Sequence, residues 1–283
     1  GGCARSSTRA QSPLEKGLLE LSHLALSDGL LGEEKQPFGE TKGIARADGE
    51  ARRRLDRLSR RLRDALGGEH GAGAIPILNR VIFAEEAYRR EVDDKGLRYT
   101  LLPTVLDGRR GGCLGLSALY LVLGERLGIP LRGVVVPGHF FVRYVGPGGR
   151  RNVELLKKGR AMAARWYRRK YPARRDNSLY FRTSLDGRQT LAVYRYNVAN
   201  AYRRRHAWRK ALALYRATVE VLPGFAEAQG NLGLTLAHLG DLDGASKAYR
   251  RAGEANPNLP GLRKNLEALA EARGLRRKSR RNL

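Results

Sequence analysis

The stretch Gly111-Gly112-Cys113-Leu114-Gly115-Leu116-Ser117-Ala118-Leu119-Tyr120 decides how this chain is read. Two glycines interrupt what precedes, and an apolar helix-forming run then continues to about Leu127, where Gly128 and Pro130 close it. Cys113 therefore opens a helix. Free backbone N–H groups and the dipole at such a start favour a thiolate, the form of cysteine that acts as a nucleophile. Val134-Val135-Val136 and Phe140-Phe141-Val142 read as strand segments around Pro137-Gly138-His139. Gly146-Pro147-Gly148-Gly149 reads as a hairpin turn and Asn152-Val153-Glu154-Leu155 as the returning strand. His139 comes 26 residues after Cys113, and Glu154 comes 15 after His139. A turn near Gly146-Pro147 sets Glu154 close to opposite His139. One helix start and two adjacent strands thus predict a triad: a thiol nucleophile, an imidazole that shuttles its proton to a leaving amine, and an acid that orients the ring.

Leu102-Pro103, Val105-Leu106, Gly112 to Ser117, Leu119-Tyr120-Leu121, Arg126 to Pro130, Pro137 to Arg143 and Asn152-Val153-Glu154 together resemble the transglutaminase-like superfamily, relatives of the papain-type fold. The resemblance covers roughly residues 75–160 and is nearest to the bacterial SirB-type branch, whose members often carry C-terminal tetratricopeptide repeats. It implies an α+β domain of helices and a small antiparallel sheet, with Cys113 as nucleophile, His139 as base and Glu154 as acid. The activity it implies is thiol-dependent acyl chemistry on a protein or peptide amide, by hydrolysis or by transfer to an amine. The competing reading is a non-catalytic peptide- or protein-binding scaffold on the same fold, because a fold does not supply a function. An oxyanion hole would combine the Cys113 backbone N–H with a second donor, for which Asn79, Tyr99 and Arg110 are candidates.

Outward from this centre, apolar residues at helical spacing predict helices over Leu14 to Leu31 and Ala51 to Leu66, with a Gly/Glu/Lys-rich loop over 32–49 between them. A further helix is expected from Ile75 to Val92, and a basic, aromatic one around Trp166, Tyr167 and Tyr171. The transglutaminase-like domain is accordingly placed at 14–175, after a flexible leader at 1–13, and a linker at 176–190 follows it.

From 191 the character changes. Ala192 and Ala226 are 34 residues apart, and in that register Tyr202 matches Leu236, Ala211 matches Ala245, Tyr215 matches Tyr249 and Pro223 matches Pro257. Small residues at the helix crossing and large ones beside it suit hairpins that bury their faces only by stacking on neighbours. The period resembles the tetratricopeptide repeat, so an all-α repeat region is expected over 191–273, closed by a capping helix from Gly261 to about Arg273, with a basic tail at 274–283. Asn197, Asn231 and Asn265 recur at the same interval. In the repeat family this place faces the concave groove and holds a ligand peptide, so the resemblance implies a protein or peptide partner there.

Composition sets the remaining bounds. The chain has 283 residues, 42% hydrophobic and 29% charged, as expected of a folded protein. The net charge of +26 comes from basic residues spread along the whole sequence, so it reads as solvated helix faces and not as a nucleic-acid motif. Two cysteines exclude a disulfide framework, and the five histidines show no metal-ligand spacing. With no phosphate loop either, neither a cofactor nor a metal is expected. No apolar run is long enough to span a membrane. Gly1-Gly2-Cys3 followed by a polar Ser/Arg stretch resembles the processed end of a bacterial lipoprotein, which implies acylation of Cys3 and a lipid-anchored place in the cell envelope. The alternative is a cytoplasmic protein.

Overall fold

The computed structural model describes residues 12–31, 41–91, 96–172 and 179–281. Cys3 and most of the expected leader lie outside them. Helix α1 (Pro13–Ser27) starts at the Ser12 cap with proline in its first turn. Helix α2 (Thr41–Leu66) begins inside the stretch expected to be a loop. Its Gly-rich start is offset by a ladder in which Glu50 accepts from Arg53, Arg54 and Arg57, the spacing that ties successive helical turns together.

The single helix expected from Ile75 to Val92 is shorter and changes pitch. It runs as α3 (Ala74–Asn79), continues as a π-helical turn over Arg80–Glu85, and yields to the two-residue strand β1 (Arg89–Arg90). β1 pairs in parallel with β2 (Arg110–Gly111), which follows the short helix α4 (Leu102–Gly108). Arg109 closes α4 in the left-handed region, at φ 50°.

Helix α5 (Cys113–Leu127) is buried on nearly all sides, as its apolar sequence requires. It packs on α2, on α4 and on an antiparallel sheet of order β3 (Leu131–Val136), β4 (His139–Gly146), β5 (Gly149–Glu154) and β6 (Arg160–Ala161). The sheet has two covered faces. Val135, Phe140, Val142, Tyr144 and Val153 point into the main core with α5. Val134, Val136 and Phe141 point the other way and bury Tyr167 of α6 (Ala164–Lys170).

The segment expected as a free linker is held against the sheet where it is described. The Phe181 N–H donates to Val135 O and the Leu185 N–H to Gly133 O, so it runs along the open edge of β3. Leu179, Tyr180 and Leu185 are buried there.

The C-terminal region is all-helical. Helix α7 (Gly187–Arg204) is opened by a capping box between Asp186 and Gln189. It pairs with α8 (Trp208–Val221), and α9 (Ala226–His238) pairs with α10 (Leu242–Ala255). Ala211 and Ala245 are fully buried at the crossings, with Tyr202, Tyr215, Leu236 and Tyr249 buried beside them. The last helix, α11 (Leu262–Arg281), packs on α10 and runs on through most of the stretch expected to be a tail. The helical region is not detached. α1 lies against α7, and tyrosine hydroxyls bridge the two parts, Tyr202 to the Asp28 carboxylate and Tyr180 to Glu227.

Candidate active site

The start of α5 is fixed from outside. The Gly112 N–H donates to Tyr99 O at 2.9 Å, and Gly112 caps the helix in an extended conformation. A Cβ on Gly115 would lie 2.1 Å from the same Tyr99 oxygen, so the close approach of this strand of chain to the first helical turn needs glycine. The first bond inside the turn is Leu116 N–H to Gly112 O. The N–H groups of Cys113, Leu114 and Gly115 therefore have no intrahelical acceptor. Cys113 is a free, half-buried cysteine beside them.

His139 follows the turn made by Pro137 and Gly138, where Gly138 takes φ +69°. Val142 pairs with Val153, so Glu154 falls one step beyond, on the same face as His139 and displaced from it along the strands. The offset is spanned by side chains: His139 Nε2 lies 2.8 Å from Glu154 Oε2, with both residues almost completely buried. The other Glu154 oxygen accepts from the Leu156 N–H at 3.2 Å, which fixes the carboxylate. With Nε2 taken, Nδ1 is the ring nitrogen left for Cys113, whose thiol lies near enough to shift the His139 pKa. Burial alone would push the His139 pKa down. The interactions with Cys113 and Glu154 and the charges of both outweigh it and raise the pKa to about 9.

Two aromatic rings missed by sequence reasoning complete the surroundings. Tyr171 stacks on the imidazole, centroids 4.5 Å apart and planes 10° from parallel. Tyr167 lies behind it, 6.5 Å away, and packs on Phe141. The Tyr167 hydroxyl is buried without a well-formed hydrogen bond, and burial with the nearby Glu154 charge pushes its pKa far up. Tyr171 caps the end of α6 four residues after Tyr167, its N–H donating to Tyr167 O at 2.8 Å, so the two rings lie on one side of the sheet. That spacing was the available signal.

The other candidates are placed differently. Asn79 gives its amide to Gly159 O at 2.9 Å and accepts from the Tyr120 hydroxyl at 2.9 Å, bracing the loop after Glu154. Tyr99 acts through its backbone carbonyl, and Arg110 is half-exposed and paired with Glu91. Asn197 donates to Val193 O in its own helix. Asn231 donates to Asn200 Oδ1, which also accepts from Tyr215, in a polar seam between neighbouring hairpins. Asn265 is half-buried near the start of α11. Among the described residues no three His, Cys, Asp or Glu side chains cluster as a metal site, and no helix is long and apolar enough to cross a membrane.

The chain is similar to several known proteins. Residues 49–183 match the transglutaminase-like superfamily, so this stretch is a transglutaminase-like domain, and Cys113, His139 and Glu154 all fall inside it. Two proteins of Xylella fastidiosa, each described as a UPF0162 protein, are 27% and 26% identical over 182 residues. The alignments cover 62% of this chain and 65% of theirs, so the chain spans a little under two thirds of the curated relatives it matches. Among solved structures, the chain resembles menin, a protein whose crystal structure reveals the binding site for Mixed Lineage Leukemia (MLL) protein. The TM-score is 0.58 at 13% identity, over 87% of this chain and 58% of that one. At that identity the likeness shows the fold alone. It extends beyond the 49–183 domain into the helical region.

Proposed function

We propose that this protein, with a SirB-type transglutaminase-like core, performs cysteine-dependent acyl chemistry on a protein or peptide amide, and that its helical region, read as tetratricopeptide repeats, recruits the protein partner. The observation that supports the chemistry is the position of His139, near Cys113 and bonded to the buried Glu154 carboxylate. Cys113 Sγ attacks the amide carbon as the thiolate whose proton His139 holds. The carbonyl π electrons move to oxygen, which the unpaired N–H groups at the start of α5 stabilise. The C–N bond then breaks, and the nitrogen leaves with the proton from His139 Nδ1. The remaining thioester is opened by water, giving hydrolysis, or by an amine, giving transfer. Glu154 holds the imidazole through both steps. In the same reading Cys3 is the acylated anchor of a bacterial envelope protein.

The test follows one thiol. In a Cys3→Ser background, iodoacetamide should alkylate Cys113 quickly at pH 7, and His139→Ala should slow this by at least about tenfold, a conservative threshold beside the roughly 10²–10⁴-fold that a positioned base contributes to catalysis. Incorporation of a dansylated amine into casein, or ammonia release from it, should disappear in Cys113→Ala. Slow alkylation indifferent to His139 would refute the chemistry. It would leave the second reading, a non-catalytic binding scaffold, which is favoured by the likeness to menin, itself a protein with a partner's binding site.

A further inference from the structure

On the far side of Tyr167 and Tyr171 from the main core lies a cavity of about 1230 Å³. Its wall includes Arg143, Arg150, Arg151, Arg168, Arg169 and Arg182, and no Asp or Glu among the described residues. Elsewhere several arginines are matched with acids: Glu50, Glu85, Glu86 and Glu15 all hold guanidinium groups. None of these six has a carboxylate partner among the described residues. Arg143 is the most telling. It is 4% exposed and held by neutral acceptors, Asn152 Oδ1 at 2.8 Å, Phe181 O at 2.9 Å and Ser184 Oγ at 3.3 Å. A buried guanidinium surrounded by neutral groups and further cations is costly, and burial followed by repulsion from Arg150 pushes its pKa down. Such a site is completed by an anion.

The wall also indicates what kind of anion. Two aromatic rings at the cavity are engaged: one face of Tyr171 lies on His139, and Arg143 and Arg168 sit over Phe181 at 5.0 and 5.6 Å. Rings engaged in this way offer less platform for a nucleobase, which argues against a nucleotide. The exposed arginines come from three separate elements, β5, α6 and the segment after Tyr180, and so surround the cavity instead of converging on one point. That distribution suits charges spaced along a chain better than one compact phosphate group. The volume exceeds the roughly 300–1,000 Å³ of ordinary small-molecule pockets.

We propose that this cavity binds a carboxylate-rich peptide segment. Tyr167 and Tyr171 are its shared wall with His139, so a bound segment would lie within a few residues of Cys113. Assigning that segment to the substrate rests on the catalytic reading above; the binding itself does not.

The experiment measures anisotropy of a fluorescein-labelled peptide of about eight glutamates, with full-length protein at about 0.15 M salt, where screening suppresses distant charges. Wild type and Cys113→Ala should bind alike. Arg168→Gln with Arg182→Gln, both exposed and so tolerated by the fold, should weaken binding at least about tenfold, since each lost charge-assisted contact is worth about that much. Arg60→Gln with Arg63→Gln, an equal loss of charge on the exposed face of α2, should change it less than about twofold. Equal losses in the two double variants would overturn the proposal, because the net charge alone would then explain binding. So would tighter binding of inorganic tripolyphosphate or an oligonucleotide than of the peptide in competition. Amine incorporation into casein runs in parallel. Peptide binding that needs the cavity arginines, without any turnover, would sink the catalytic reading and leave this one standing. Turnover with binding indifferent to those arginines would do the reverse.

Discussion

The Tyr194 hydroxyl donates to the carbonyl of Leu114, so the first helix of the C-terminal region is bonded to the residue that follows Cys113. Both groups are buried, and burial holds the Tyr194 pKa well above that of an ordinary phenol. Tyr194→Phe keeps the ring, including its edge contact with Phe140, and removes only the donor. The Leu114 carbonyl would still accept inside α5, so the expected loss is one ordinary buried hydrogen bond, about 1 kcal/mol. Urea unfolding measures it. A neutral or stabilising change would mean that the two regions are joined by packing alone.

The pH dependence of His139 has a definite sign. Its pKa is raised from 6.5 to about 9, so the protonated ring stabilises the fold fully below 6.5 and loses that contribution as pH rises through about 9. Its Cε1–H resonance, assigned by its loss in His139→Gln, should titrate with a midpoint near 9. In Glu154→Gln the carboxylate is gone, burial counts for more, and the midpoint should fall. A midpoint near 6.5 in both proteins would show that neither Cys113 nor Glu154 acts on the ring as the structure has it.

What could be read from sequence alone was mostly local. The helix beginning at Cys113, the hairpin carrying His139 and Glu154, and the register that buries Ala211 and Ala245 each depend on patterns a few residues long or on a repeated interval. The remainder depends on distant pairs. Tyr194 and Leu114 are 80 residues apart, and the ring of Tyr171 reaches His139 from the end of a separate helix, α6. No periodicity announces such contacts. The start of α2 was hidden for another reason: glycine near 43 and 49 suggested a loop, while the decisive support came from Glu50 and its arginines further along. Composition likewise suggested a free linker over 176–190, because the backbone bonds that hold Phe181 and Leu185 to β3 leave no mark on side-chain pattern.

Gly115 separates propensity from packing. Alanine in a helix is usually favoured over glycine by about 1 kcal/mol. At Gly115 its Cβ would meet Tyr99 O at 2.1 Å and Val105 Cγ2 at 2.7 Å, and one of these is backbone. Overpacking of this kind costs about 1–3 kcal/mol or more, so Gly115→Ala should lower the melting temperature. Gly49→Ala, also within a helix but facing only the flexible end of Arg53 at 3.5 Å, should raise it. Equal responses at the two sites would show that the chain near Tyr99 yields, and that the start of α5 is less tightly held than its contacts imply.

The last prediction concerns the pair that ties three helices together. Arg126 of α5 meets Glu15 of α1 with both ends of its fork, Nε to Oε2 at 2.7 Å and Nη2 to Oε1 at 2.6 Å, and reaches Asp56 of α2 at 2.6 Å. Glu15 is 1% exposed, whereas about half of the Asp56 side chain is open to water. Glu15→Leu would take from the part-buried guanidinium its buried carboxylate partner, at a cost of about 3–5 kcal/mol. Replacing the whole pair is different, because Asp56 can return to water and no charge is left stranded. Glu15→Leu with Arg126→Met should therefore recover most of the loss, and urea unfolding of both single variants and the double would expose the coupling. If the double variant is as unstable as the sum of the singles, the two side chains act independently, and the contact between α1 and α5 rests on Leu14, Leu18 and their apolar neighbours.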